Sequence, residues 1–163
     1  MTRLLVVGVG NAWRSDDGAG SAVARLLAGD PRVLAYGGEP VGLIETWGGA
    51  DEVLLVDAVS SGAPPGTVHR IDALAAALPT TLGRGSTHAF GVQETIELAR
   101  VLGRLPPRLE LYAIEGERFI AGEELSPAVE RAVEDVAREL RARLGKPAGG
   151  SRSAPDGGRR ERS

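Results

Sequence analysis

The stretch VVGVGNAWRSDDGAGSAVARLL, Val6 to Leu27, sets the fold class. It opens as an apolar run, turns at Gly8 and Gly10, and resumes as a helix near Gly18. With Arg3, Leu4 and Leu5 before it, RLLVVGVG reads as a strand buried on both faces of a parallel sheet. The helix is expected from about Asp17 to Leu27. Ala22, Val23, Leu26 and Leu27 form its apolar side, and Gly29 and Pro31 stop it. Strand, glycine turn and helix in this order commonly hold a phosphate. Here, however, the turn carries Asp16 and Asp17 side by side.

Working outward, the same alternation continues. RVLAY reads as a short second strand, and VGLIETWGG as a short helix. EVLLVDAV, Glu52 to Val59, is a strongly apolar strand with Asp57 near its end. A turn and a strand containing His69 follow, then a short helix around 72–78 and the loop PTTLGRGSTHAFG. A helix is expected from about Gly91 to Leu102, and a strand over RLELYAIEG. In the last helix Ser126 serves as cap and Pro127 suits the first turn. Val129, Val133, Val136, Leu140 and Leu144 recur at helical spacing before Gly145. Alternating strands and helices predict a three-layer α/β/α sandwich around a largely parallel twisted sheet. The expected organisation is one domain over 1–145 and a disordered tail over 146–163.

Composition narrows the function classes. The chain has 163 residues, no cysteine and two histidines, His69 and His88. Disulfides, thiolate ligands and a cysteine nucleophile are therefore absent. The net charge of -3 divides unevenly: from Lys146 onward five basic and two acidic residues give +3, which leaves -6 for the rest. An acidic body argues against nucleic acid as a partner. No apolar run approaches the length of a membrane helix, and no secretory signal precedes the first strand, so the expected location is cytoplasmic.

Three readings of the glycine turn compete. A dinucleotide site needs G-x-G-x-x-G, but Trp13 occupies the third glycine position. Two carboxylates at a helix N-terminus also oppose a pyrophosphate. A helix cap needs one aspartate and leaves the other over. A cation site uses the C-terminal rim of the sheet, where Asp17 after the first strand, Asp57 at a strand end and His88 in a loop can meet. Each residue taken singly reads as structural. Together, two carboxylates and an imidazole suit zinc, nickel or a similar divalent ion and leave positions open for chemistry.

At these residues the sequence resembles the hydrogenase maturation endopeptidases. GVGNAWRSDDGAG, LLVDAV and STHAFG stand in that family's order, as do GGEPVGLIETW, PGTVHRID and YAIEGERFIAGEELSPAVERAVE. The resemblance spans about Arg3 to Leu144 and implies a phosphorylase/hydrolase-like sandwich. It implies an aspartic-type, nickel-dependent endopeptidase that removes the C-terminal extension of the [NiFe]-hydrogenase large-subunit precursor after nickel insertion. By motif position the metal-contacting and catalytic residues fall on Asp17, Asp57 and His88. The resemblance implies nickel supplied by the precursor, with zinc or cadmium as occupants in vitro; a small single-domain protease is expected to work as a monomer, and the acidic body and the lack of a long apolar run predict no nucleic-acid or membrane partner. Asp16 is expected as a helix cap or supporting neighbour, while Asn11 and Gly10 shape the turn. His69, within its strand and away from the rim, reads as structural. Trp13 and Trp47 read first as packing, and secondarily as anchors for a protein partner. The rival functions are a metal-dependent module that binds precursor without turnover and a nucleotide-binding Rossmann-like protein.

Overall fold

The computed structural model describes residues 2–75, 91–122 and 124–146. Five strands form one sheet in the order β2-β1-β3-β5-β4: β1 Leu4–Val9, β2 Val33–Tyr36, β3 Glu52–Val59, β4 Val68–Asp72 and β5 Arg108–Glu115. β2, β1, β3 and β5 run parallel, and β4 pairs antiparallel with β5. The central strands β1 and β3 are buried on both faces, as their unbroken apolar sequences require.

Helices α1 (Ala19–Leu26) and α4 (Pro127–Leu144) cover one face, and α2 (Pro40–Thr46) and α3 (Val92–Val101) cover the other. Val6, Leu54, Val56 and Ile114 pack under α1 and α4 with Val23, Val133 and Leu140. Val7, Val53, Leu55 and Leu111 pack under α2 and α3 with Ile44, Trp47 and Ile96. The three-layer sandwich is thus present. Trp47 is core: it is 1% exposed, and its indole N–H donates to the Arg104 carbonyl at 3.1 Å.

The expected first helix is divided. A 3-10 turn, Ser15–Gly18, precedes α1, and Ser15 adopts a left-handed φ of 49°. The expected helix over 72–78 begins as a turn after Asp72, and its remainder lies outside the described residues, as does the tail from 147. The glycines of α1 and β1 fit an unusually close approach. A Cβ on Gly20 would lie 2.3 Å from the carbonyl oxygens of both Val9 and Val56, and one on Gly8 would lie 2.0 Å from the Gly20 carbonyl. Helix and sheet therefore touch backbone to backbone, which seats the preceding turn directly over the ends of β1 and β3.

Because those contacts are backbone, Gly20→Ala should destabilise the fold by about 3 kcal/mol despite alanine's better helix propensity. Gly145→Ala meets only ordinary contacts, the nearest at 3.4 Å, and should be near neutral. Chemical denaturation of the two variants checks the contrast.

Candidate functional site

The turn after β1 is built from local backbone chemistry. Gly10 has φ 138°, and its N–H donates to the Tyr36 carbonyl at 3.2 Å. The Asn11 side chain accepts the Trp13 N–H at 2.9 Å, and the Asn11 carbonyl accepts the Arg14 N–H at 3.2 Å. These bonds curl the chain back so that the Asp17 carbonyl lies 2.1 Å from where a Gly10 Cβ would stand. Only glycine fits there. The Asp57 Oδ1 lies 3.8 Å from the same point. The Asp17 backbone and the Asp57 carboxylate therefore flank Gly10 at the C-terminal rim of the parallel strands, close enough for the Asp17 charge to act on Asp57.

Asp57 shares a face of β3 with Val53, Leu55 and Val59, and points toward the α2 and α3 layer. It borders a cleft with Gly10, Tyr36, Gly38, Gly91 and Val92. Burial pushes the Asp57 carboxyl well above its ordinary value, and the negative charge of Asp17 pushes it the same way. The Ala58 N–H, donating to Asp57 Oδ1 at 2.9 Å, opposes both. A desolvated like-charge pair of this kind holds a proton readily, and a divalent cation can replace that proton. His88 lies outside the described residues. Among the described residues no cluster of three or more metal-ligating side chains occurs.

Asp16 does something different from its neighbour. It is fully buried and accepts the backbone N–H groups of Glu117 and Arg118 at 2.8 Å and of Ser126 at 2.7 Å, with the Ser126 hydroxyl at 2.8 Å. Burial raises its pKa, but these four donors together outweigh burial and hold it below 3.8. Two expectations are corrected here. Asp16 caps neither the 3-10 turn nor α1, since neither has a side-chain cap. Ser126 occupies the N-cap position of α4, yet its hydroxyl serves Asp16 rather than the helix.

A second buried carboxylate, Glu115, has no counterpart in the sequence reading. It ends β5, is 1% exposed, and accepts the Ser61 N–H at 3.2 Å, the Ser61 hydroxyl, and a contact from His69 Nε2 at 3.0 Å. It fixes the β3–β4 loop just beyond Asp57. His69 itself lies nearer the rim than its sequence context suggests. Because β4 is antiparallel, its first residues lie at the rim end of β5, with His69 opposite Ala113 and Ala113 opposite Asp57. The carboxylate sits between the hydroxyl and the imidazole, so His69 is not placed to activate Ser61 as a nucleophile. The only sequence signal for Glu115 is an acidic residue closing the apolar run Leu111–Ile114.

Asp16→Ala would leave three backbone N–H groups and a hydroxyl without their acceptor, and should destabilise by about 3 kcal/mol at pH 7. Because the folded pKa is depressed, this contribution is fully present above 3.8 and fades as pH falls through the lower folded value. Denaturation of wild type and variant should therefore differ most near neutrality and converge in acid.

Comparison with known proteins identifies the family and the fold. The family model for hydrogenase maturation protease matches residues 24–142, a span that includes Asp57 and position 88. The hydrogenase expression/formation protein HupD of Thiocapsa roseopersicina is 31% identical over 152 residues, covering 83% of this chain and 68% of the relative. The solution structure of an endopeptidase from Escherichia coli superposes with TM-score 0.72 at 26% identity, covering 88% of this chain and 92% of that one. The [NiFe] hydrogenase maturation protease HycI of Thermococcus kodakarensis superposes with TM-score 0.70 at 25% identity, covering 89% and 94%. With a family model matched over well more than half its length, this chain belongs to the hydrogenase maturation proteases.

Proposed function

We propose that the protein is an endopeptidase that removes the C-terminal extension of a [NiFe]-hydrogenase large-subunit precursor once nickel has been inserted. The observation that carries this reading is the approach of Asp17 and Asp57 across Gly10 on the strand-end rim, in a chain of the maturation-protease family. Nickel belongs to the precursor and arrives with it. Asp17, Asp57 and His88 recognise it, and zinc or cadmium can take the same ligands in vitro. His88 stands three residues before Gly91, which borders the cleft beside Asp57.

Two carboxylates and a neutral imidazole match a divalent ion in charge and in ligand type. Without the cation, a proton on Asp57 relieves the repulsion from Asp17. Nickel held by these residues would supply Lewis-acid polarisation of the scissile carbonyl, favouring attack of water on its carbon. A carboxylate takes the water's proton and passes it to the departing amine as the C–N bond breaks. The working unit is a monomer. Among the described residues no helix is long and apolar enough to cross a membrane.

The test is the mass of the precursor after incubation with the protein, in nickel-loaded and nickel-free forms. Loss of a C-terminal peptide from the loaded form alone is the expected result. Binding with no mass change in either form would overturn the enzymatic reading in favour of a binding module.

Asp17→Asn, Asp57→Asn and His88→Ala should each reduce processing by at least about 100-fold, the scale of losing a group that acts on the transition state. Normal processing by all three would reject the assignment. Stability should move the other way for Asp57. Its folded pKa is raised, so the ionised form opposes folding at neutral pH, and wild-type stability from this group increases as pH falls. Asp57→Asn should therefore unfold at a higher temperature than wild type at pH 7 while being inactive, as thermal scans would show.

A further inference from the structure

The same rim carries an apolar feature that metal recognition does not use. Trp13 is 68% exposed and Ile120 is 62% exposed. Both stand on the two loops that Asp16 ties together, and the tie continues along the backbone beneath them. The Trp13 carbonyl accepts the Gly122 N–H at 2.9 Å, and the Ser15 N–H donates to the Gly122 carbonyl at 2.7 Å. The Ser15 hydroxyl donates to the Ile120 carbonyl at 2.9 Å, and the Arg14 guanidinium to the Phe119 carbonyl at 2.8 Å. Docking against loops fixed in this way orders little more than the side chains themselves.

Location distinguishes this pair from most other exposed apolar residues. Leu26 ends α1, and Val101 and Leu102 end α3, at the opposite end of the sheet from the rim. Trp13 precedes Asp17 by four residues, so chain length alone keeps their Cα atoms within about 14 Å. A standard protein interface covers about 800 Å² per partner, a disc of roughly 16 Å radius. A protein substrate centred on Asp17 and Asp57 therefore reaches over Trp13. Tryptophan offers a large rigid surface at low entropic cost and is among the residue types enriched at interface hot spots.

We propose that Trp13 and Ile120 form the docking surface for apolar side chains of the large-subunit precursor close to the bond that is cleaved. This rests on the function proposed above. Steady-state processing of the nickel-loaded precursor by wild type, Trp13→Ala, Trp13→Phe and Ile120→Ala tests it. Trp13→Ala should raise KM at least tenfold with kcat within about twofold, because the contact is made equally before and during the reaction. Ile120→Ala should raise KM by a smaller factor, and Trp13→Phe should restore most of the loss. Wild-type tryptophan emission should shift to the blue on precursor binding, and the shift should vanish in Trp13→Phe, since Trp47 is already buried. Unaltered KM in both alanine variants, or an emission shift that persists in Trp13→Phe, would overturn the docking surface while wild-type processing stands. Failure of the wild type itself to process the precursor would overturn the proposed function, and the docking surface with it.

Discussion

The buried carboxylate of Asp16 holds the functional end of the molecule together. One side chain accepts four hydrogen bonds from Glu117, Arg118 and Ser126, residues more than one hundred positions away in the chain. Those bonds join the turn after β1 to the loop between β5 and α4, and set the start of α4 at the same time. Beyond the 3-10 turn Ser15–Gly18 and an isolated bridge between Arg14 and Gly122, the described residues of these loops have no regular secondary structure. Their shared geometry comes from one desolvated anion whose charge is spread over oriented N–H dipoles, the arrangement in which a buried carboxylate is most stable. Glu115 repeats the device one strand over, where it holds the Ser61 loop just beyond Asp57.

Against that background, the carboxylates of the rim behave in opposite ways. Asp16 is satisfied within the protein and is ionised below the ordinary range. Asp57, facing Asp17 across Gly10, is pushed up by burial and by its neighbour's charge. The stable carboxylate places the strained pair. The Asp16 network gives the rim its rigidity, while α1, locked by Gly8 and Gly20, supplies the platform.

Much of the fold was legible because burial writes itself into sequence. The unbroken apolar runs of β1 and β3 and the helical spacing of Val129, Val133, Val136 and Leu140 indicate layer and period directly. Strand direction does not write itself in that way. β4 is an edge strand whose pairing is set by the short connection it follows, so the position of His69 at the rim was invisible. The roles of Asp16 and Ser126 escape sequence reasoning for a related reason. Local rules assign a serine before a proline, or an aspartate before a helix, to the nearest orphan N–H groups. Here a partner distant in sequence took both. The two tryptophans, equivalent by composition and both near turns, separate only in three dimensions. Trp47 faces the α3 layer and Trp13 faces solvent.

The same strand–turn–helix unit that elsewhere cradles phosphate is here closed to it, and the closure is visible atom by atom. A phosphate cradle needs an open concavity of N–H groups at the helix start. In this turn the concavity above Gly10 is filled by the Asp17 carbonyl, and the helix start is preceded by a 3-10 turn carrying two acidic residues. The left-handed Gly10 that would let a pyrophosphate approach instead lets the chain's own backbone approach. Asp16 and Asp17 are buried in the turn, and Asp57 borders the cleft together with Gly91. A nucleotide would meet like charge and a blocked cradle. Under the proposed function, a divalent ion would relieve the repulsion from Asp17 that helps raise the Asp57 carboxyl.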